Sequence, residues 1–213
     1  DNFGVVGENP FKVNINYDTS DGADDWMHTN AIDYEPINDL VVISVPTFHE
    51  FWIIDHSTTT AEAATSSGGN SNRGGDLMFR WGNPAAYDQG TADDQQLFYQ
   101  HDVHWVDDLL PVTHPQYGKI ALFNNRVGAD FSTANTLSPE FDMYDWAYPM
   151  NPDGWGPEDF DLVITHPTPT QLYSTGLSSV QFLPNGNSLI TDGRHGYSFE
   201  LTPENEVVWE YVT

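Results

Sequence analysis

The chain has 213 residues, of which 32 are Asp or Glu and only 6 are Lys or Arg, giving a formal net charge of −26. That surface would repel a phosphate backbone, which argues against nucleic acid and anionic membranes as partners, while 14% aromatic content is too high for a disordered acidic chain. Cys is absent, which excludes disulfides, thiolate metal sites and a Cys nucleophile, and no apolar run approaches the roughly 18 residues of a membrane span.

Residues 1–25 read as a lead-in from a preceding structural unit. They end in an acidic loop whose Asp18, Asp21 and Asp24 surround Gly22. These hard oxygens make a weak calcium candidate, without the spacing or terminal Glu of an EF-hand. No other metal or cofactor is expected.

Residues 30–44 predict a strand, a turn opened by Pro36 and a second strand; residues 51–55 and 76–81 predict two more. Between these lies a Ser/Thr/Gly-rich connection at 57–75, with a helical turn near 58–64. A looser copy begins at His101: strands at 101–106 and 118–125 around an enlarged turn, then outer strands at 131–137 and 161–165 flanking a Pro/Gly/Asp-rich insertion. The third copy is the clearest. Residues 178–192 align without a gap on residues 30–44, Pro184 falling on Pro36, and strands at 197–201 and 206–211 follow.

Four antiparallel strands repeated three times predict an all-β fold of β-propeller type. A β-sandwich is the alternative reading of so many short strands. The predicted blades are 26–97 with a long insertion, 98–172 with insertions, and 173–213, with Ile32, Val103 and Val180 in innermost strands. Closed propellers have about 4–8 blades. The expectation is therefore about half of a ring, completed by blades from a longer precursor or a partner chain.

Within a blade, the start of the first strand and the loop after the second share a face. That rule gathers His28, Asn30, His49, His101, Arg126, Arg194 and His195 on one rim, a local basic patch suited to a small anion such as sulfate. His56, His104, His114 and His166 read as structural, and Trp52, Trp81 and Trp209 as packing between blades.

Several motifs carry a resemblance. Asp25-Trp-Met-His-Thr-Asn30, Ile54-Asp-His-Ser-Thr-Thr-Thr60, Arg80-Trp-Gly-Asn-Pro84, Gln100-His101, Leu122-Phe-Asn-Asn125 and Val180-Gln-Phe-Leu-Pro-Asn-Gly-Asn187 together resemble the arylsulfate sulfotransferase family. The resemblance implies a six-bladed propeller, extracellular or periplasmic, that moves a sulfuryl group from an aryl sulfate to a phenol through a sulfated His and without a nucleotide donor. By motif, His101 takes the place of the nucleophile, and His28 that of a sulfate-binding group. The family's Arg-His pair after the second strand is replaced here by Val45-Pro46-Thr47, whereas Arg194-His195 holds the corresponding place in the third repeat. Asn30, Arg126, His195 and His49 would line the substrate site. The alternative is a non-catalytic extracellular propeller serving as a binding or assembly module. The dispersed acidity, with almost no Lys, points to a halophilic or marine setting where salt screens self-repulsion.

Overall fold

The first hairpin shows how local chemistry sets the strands. Pro36 fixes φ at the turn, and the Glu35 carboxylate accepts the N–H groups of Ile37 at 2.6 Å and Asn38 at 2.8 Å. Asp39, at φ +57°, then reverses the chain. This computed structural model describes residues 5–17, 25–106, 109–152 and 154–213. Strands β1 (Ala31–Glu35), β2 (Leu40–Val45), β3 (Glu50–Asp55) and β4 (Phe79–Trp81) form an antiparallel sheet in chain order. The β3–β4 connection holds α1 (Thr60–Ala63), opened by a capping box between Thr59 and Glu62.

Strands β5 (His101–Trp105), β6 (Ile120–Asn124) and β7 (Thr133–Leu137) begin a second sheet. A small hairpin of β8 (Met150–Asn151) and β9 (Gly154–Trp155) intervenes before β10 (Leu162–Ile164) completes that sheet next to β7. The third sheet takes β11 (Ser178–Phe182), β12 (Ser188–Asp192), β13 (Tyr197–Leu201) and β14 (Val207–Val212), again antiparallel in chain order. The fold is all-β, and the three four-stranded repeats expected from the sequence are present. No helix among the described residues is long and apolar enough to cross a membrane.

The repeat differs from its alignment in one respect. Ala31 opposes Ser44 around a turn of residues 36–39, whereas Ser178 opposes Asp192 around residues 183–187. The second strands keep the same face, Val42 and Ile190 both being fully buried, but the first strands are slipped by one residue. A slip of one exchanges faces. Val180 is therefore buried at 2% exposure, while its sequence counterpart Ile32 lies in a first strand as expected but is 73% exposed.

The chain divides into two compact units, Asp1–Leu97 with Pro139–Pro157, and Phe98–Ser138 with Glu158–Thr213. The first unit buries Leu40, Val42, Phe51, Ile53 and Phe79 with a fully buried ion pair. Arg80 Nη2 donates to Glu50 Oε2 at 2.6 Å, Trp52 Nε1 donates to the same oxygen at 2.7 Å, and the guanidinium lies 4.4 Å from the centre of the Tyr87 ring. Residues 139–157, read from sequence as an insertion in the second blade, pack with the first unit. Tyr148 meets Phe79 with centroids 4.8 Å apart, Trp155 meets Phe11 at 5.1 Å, and Trp81 Nε1 donates to the Pro157 carbonyl at 2.8 Å. These aromatic contacts draw the insertion away from its neighbours in sequence.

In the second unit, the two sheets share one core containing Phe123, Ala134, Val180, Phe182, Ile190 and Phe199. Their first strands are tied directly, Val180 N–H donating to Asp102 Oδ2 at 2.8 Å. Trp209 is 46% exposed and stacks on Tyr211 along the outer strand β14.

Candidate functional site

His101 opens β5 between two left-handed residues, Tyr99 at φ +60° and Asp102 at φ +57°. A β-bulge follows, the pairing with β6 shifting between His101 and His104. Backbone of this kind is costly for residues with side chains and concentrates where geometry serves function. The chain before it is pinned, Phe98 N–H donating to Asn124 Oδ1 at 2.7 Å and Arg126 N–H to the Phe98 carbonyl at 3.0 Å.

His101 is 7% exposed, and its ring proton can be placed by elimination. Asn125, fully buried, directs Nδ2 at the Ser174 carbonyl (3.0 Å) and Ser178 Oγ (2.7 Å). A carbonyl only accepts, so the Asn125 amide orientation is fixed and Oδ1 faces His101 Nδ1 at 2.9 Å. The Tyr99 carbonyl lies 3.2 Å from the same nitrogen. Both partners are acceptors. Nδ1 carries the hydrogen, and in the neutral ring the lone pair belongs to Nε2.

Gly176 lies beside that nitrogen. A methyl group added there would sit 3.5 Å from His101 Nε2 and 3.6 Å from Arg194 Nη2, so the imidazole edge and a guanidinium flank one side-chain-free stretch of backbone. The Ser174 hydroxyl donates to the Gly176 carbonyl at 2.7 Å and holds that stretch, and Leu177 continues it at φ +59°. Gly193 is required by close approach, since a Cβ there would meet the Leu177 carbonyl at 2.1 Å. The loop beyond it is organised by Asp192, 2% exposed, whose Oδ1 accepts the N–H groups of Arg194 and His195. Its Oδ2 pairs with His195 Nδ1 at 2.6 Å. Arg126 donates to the Thr175 carbonyl from Nε and Nη2, both at 3.3 Å, and stacks 4.0 Å over the Tyr99 ring.

The second unit thus brings His101 and Arg194 together at Gly176, with Arg126 reaching the adjoining Thr175 and His195 tied to Asp192. His28, Asn30 and His49 belong to the first unit. His28, at φ +47°, pairs through Nδ1 with Asp25. Asn30 donates its N–H to the Ser44 carbonyl at 3.4 Å, and its Oδ1 is buried. His49, at φ +57°, closes the turn Pro46–Phe48. That turn, standing where the resemblance expects an Arg-His pair, is wholly buried. Thr47 Oγ donates to the Trp26 carbonyl at 2.5 Å, and Phe48 packs against Tyr17, Trp26 and Trp52. It supplies packing and no cation.

The sequence puts Asn125 in the Leu122–Asn125 motif and beside Arg126 but assigns it no role of its own; the parts that Gly176 and Asp192 play are identified only by the atoms they approach. Among the described residues, no group of three or more His, Asp or Glu side chains is arranged to hold a metal. The calcium candidates Asp18, Asp21 and Asp24 lie outside the described residues.

No family model matches the chain. No curated protein matches it either. Among solved structures, a protein of unknown function from Bacteroides caccae is similar at a TM-score of 0.35 with 10% identity, over 87% of this chain. The chain spans 61% of that neighbour.

Proposed function

We propose that the second unit carries a sulfuryl-transfer site, with His101 as nucleophile and an aryl sulfate as donor. The observation that carries the reading is the His101 tautomer: Nδ1–H donates to Asn125 Oδ1, so the lone pair lies on Nε2, the nitrogen that Gly176 approaches. In the first step His101 Nε2 attacks sulfur, an N–S bond forms, the S–O bond to the ring breaks, and the phenolate leaves to take a proton from water. In the second step a phenol oxygen attacks sulfur, the N–S bond breaks, and the phenol proton passes to solvent. Arg194 offers a fixed positive charge to the sulfuryl oxygens, and Arg126 adds a second cation at the adjoining Thr175. His195, tied to Asp192, is a further binding residue in this proposal, and Arg194 takes the place of the arginine that the resemblance expects.

The proposal includes a propeller architecture of six blades, in which the three sheets are blades and others come from a longer precursor or a partner. The chain-order strand sequence of the first and third sheets and the tie between β5 and β11 support it. So do the exposed Ile32 and Tyr34 on β1 and Trp209 and Tyr211 on β14, apolar surface of the kind that neighbouring blades cover. An extracellular or periplasmic setting follows from the same resemblance. The buried Pro46–Phe48 turn favours the second reading, a binding or assembly module that keeps the fold without the chemistry.

Incubation with 4-nitrophenyl sulfate followed by peptide mass spectrometry separates the two. Sulfuryl transfer places one added group on the peptide holding His101, absent in His101→Ala, with ping-pong kinetics toward a phenol acceptor. A folded protein with neither adduct nor turnover overturns the catalytic reading.

A further inference from the structure

The second unit contains a cleft of about 530 Å³ that the His101 site does not use. Strand β11 separates the two. Ser178, at its start, holds Asn125, whereas Phe182, at its end, lines the cleft, about 13 Å away at the usual rise per strand residue. The floor is apolar, formed by Ile164, Phe182 and Leu201, and Pro115, Pro184 and Pro203 add rigid, apolar lining.

The charge of the lining is unusual for this molecule. In a chain with 32 acidic residues among 213, no Asp, Glu, Lys or Arg is among the described residues of the cleft. Two of its polar side chains, His114 and Gln116, have a donor left over. His114 Nδ1 accepts the Gln116 N–H at 3.2 Å, so in the neutral ring the proton lies on Nε2 and that nitrogen donates. Gln116 Oε1 accepts from Thr136 Oγ1 at 2.8 Å, which leaves its NH₂ as the donor end. The His114 ring also meets Phe182 with centroids 6.5 Å apart.

We infer that this cleft binds a small uncharged aromatic molecule bearing a carbonyl acceptor, of the aromatic amide or ketone class. Its ring lies on Phe182 and Leu201, and its oxygen accepts from His114 and Gln116. A carboxylate would lose its hydration without gaining a cation, and an ammonium would find no carboxylate.

The test is a titration of the isotope-labelled protein with 2-naphthamide followed by NMR. Saturable shifts at His114, Ile164 and Leu201 are expected, with 2-naphthoate binding at least about tenfold more weakly. His114→Phe keeps a ring and removes the donor; it should weaken the amide by about tenfold, the value of one ordinary hydrogen bond. His101→Ala should bind the amide unchanged, so that failure of the sulfuryl-transfer proposal leaves this one standing. Absence of saturable shifts at these residues, equal binding of 2-naphthoate, an unaffected His114→Phe, or loss of binding in His101→Ala would each overturn the assignment.

Discussion

Three buried side chains in two different surroundings show what single residues are asked to do. Asn125 spends its amide on Ser174 and Ser178 and its oxygen on His101. Under the sulfuryl-transfer proposal, Asn125→Leu removes the nearer of the two acceptors at His101 Nδ1, leaving the Tyr99 carbonyl at 3.2 Å, and should lower aryl sulfate turnover by about tenfold, the value of one ordinary hydrogen bond. A wild-type rate for this variant would remove Asn125 from the mechanism. The Glu50–Arg80 pair has a structural role, with both side chains fully buried. Burial pushes the Glu50 carboxyl up, while Arg80 and the Trp52 N–H oppose that shift. Arg80→Met would strand the carboxylate and cost about 3–5 kcal/mol. Adding Glu50→Leu should recover much of that loss, because it removes the uncompensated charge. Denaturant unfolding of the two single variants and the double variant measures both effects, and additive losses would contradict the coupling.

Among the elements, the strands were legible because their signals are local: apolar alternation along residues 197–201 and 206–211, and Pro36 and Pro184 at turns. The one-residue slip of β1 against β2 was not legible. It depends on a turn of residues 36–39 closed by the Glu35 carboxylate, a hydrogen-bond pattern that alignment does not encode. The placement of 139–157 was hidden for a related reason, since Tyr148 and Trp155 find aromatic partners distant in sequence. His101 was visible as a polar residue opening a predicted strand. Gly176 was not, because its role lies in the side chain it lacks. The β3–β4 connection offers a test at this scale. Asp55, 1% exposed, accepts Ser57 N–H and Oγ–H and Ser71 N–H. Burial pushes its carboxyl up, but these hydrogen bonds outweigh it and hold the carboxyl below the usual range. A depressed value stabilises the fold fully above the unfolded pKa of about 3.9, and that contribution is lost as pH falls through the folded value. Asp55→Asn should therefore lower Tm at pH 7, and its difference from wild type should shrink on acidification below about pH 4. A constant difference from pH 7 to the acid limit would show that the charge is not what matters.

For the molecule as a whole, the dominant quantity is the net charge of −26 carried on 213 residues. Of its six permanent cations, Arg80 is committed to Glu50, Lys12 to Asp76 and Lys119 to Asp161, so local pairing neutralises few of the 32 carboxylates. The remaining repulsion acts over the Debye length, about 30 Å at 0.01 M salt and about 3 Å at 1 M. At low salt the acidic groups of the folded chain repel one another across many ångströms; in the expanded chain they lie farther apart, and the folded state is penalised. Tm should therefore rise as sodium chloride increases across that range. Salt also strengthens apolar burial, so the rise alone does not identify its cause. Charge reversal separates the two. Asp93→Lys, Asp130→Lys and Glu204→Lys, all at exposed positions, together take the formal charge from −26 to −20 by three changes of two units. If screening is responsible, the triple variant melts higher than wild type at 0.01 M, and the two converge at 1 M. Parallel curves, with the same salt slope in both proteins, would assign the effect to apolar burial and remove the physical basis for a halophilic setting.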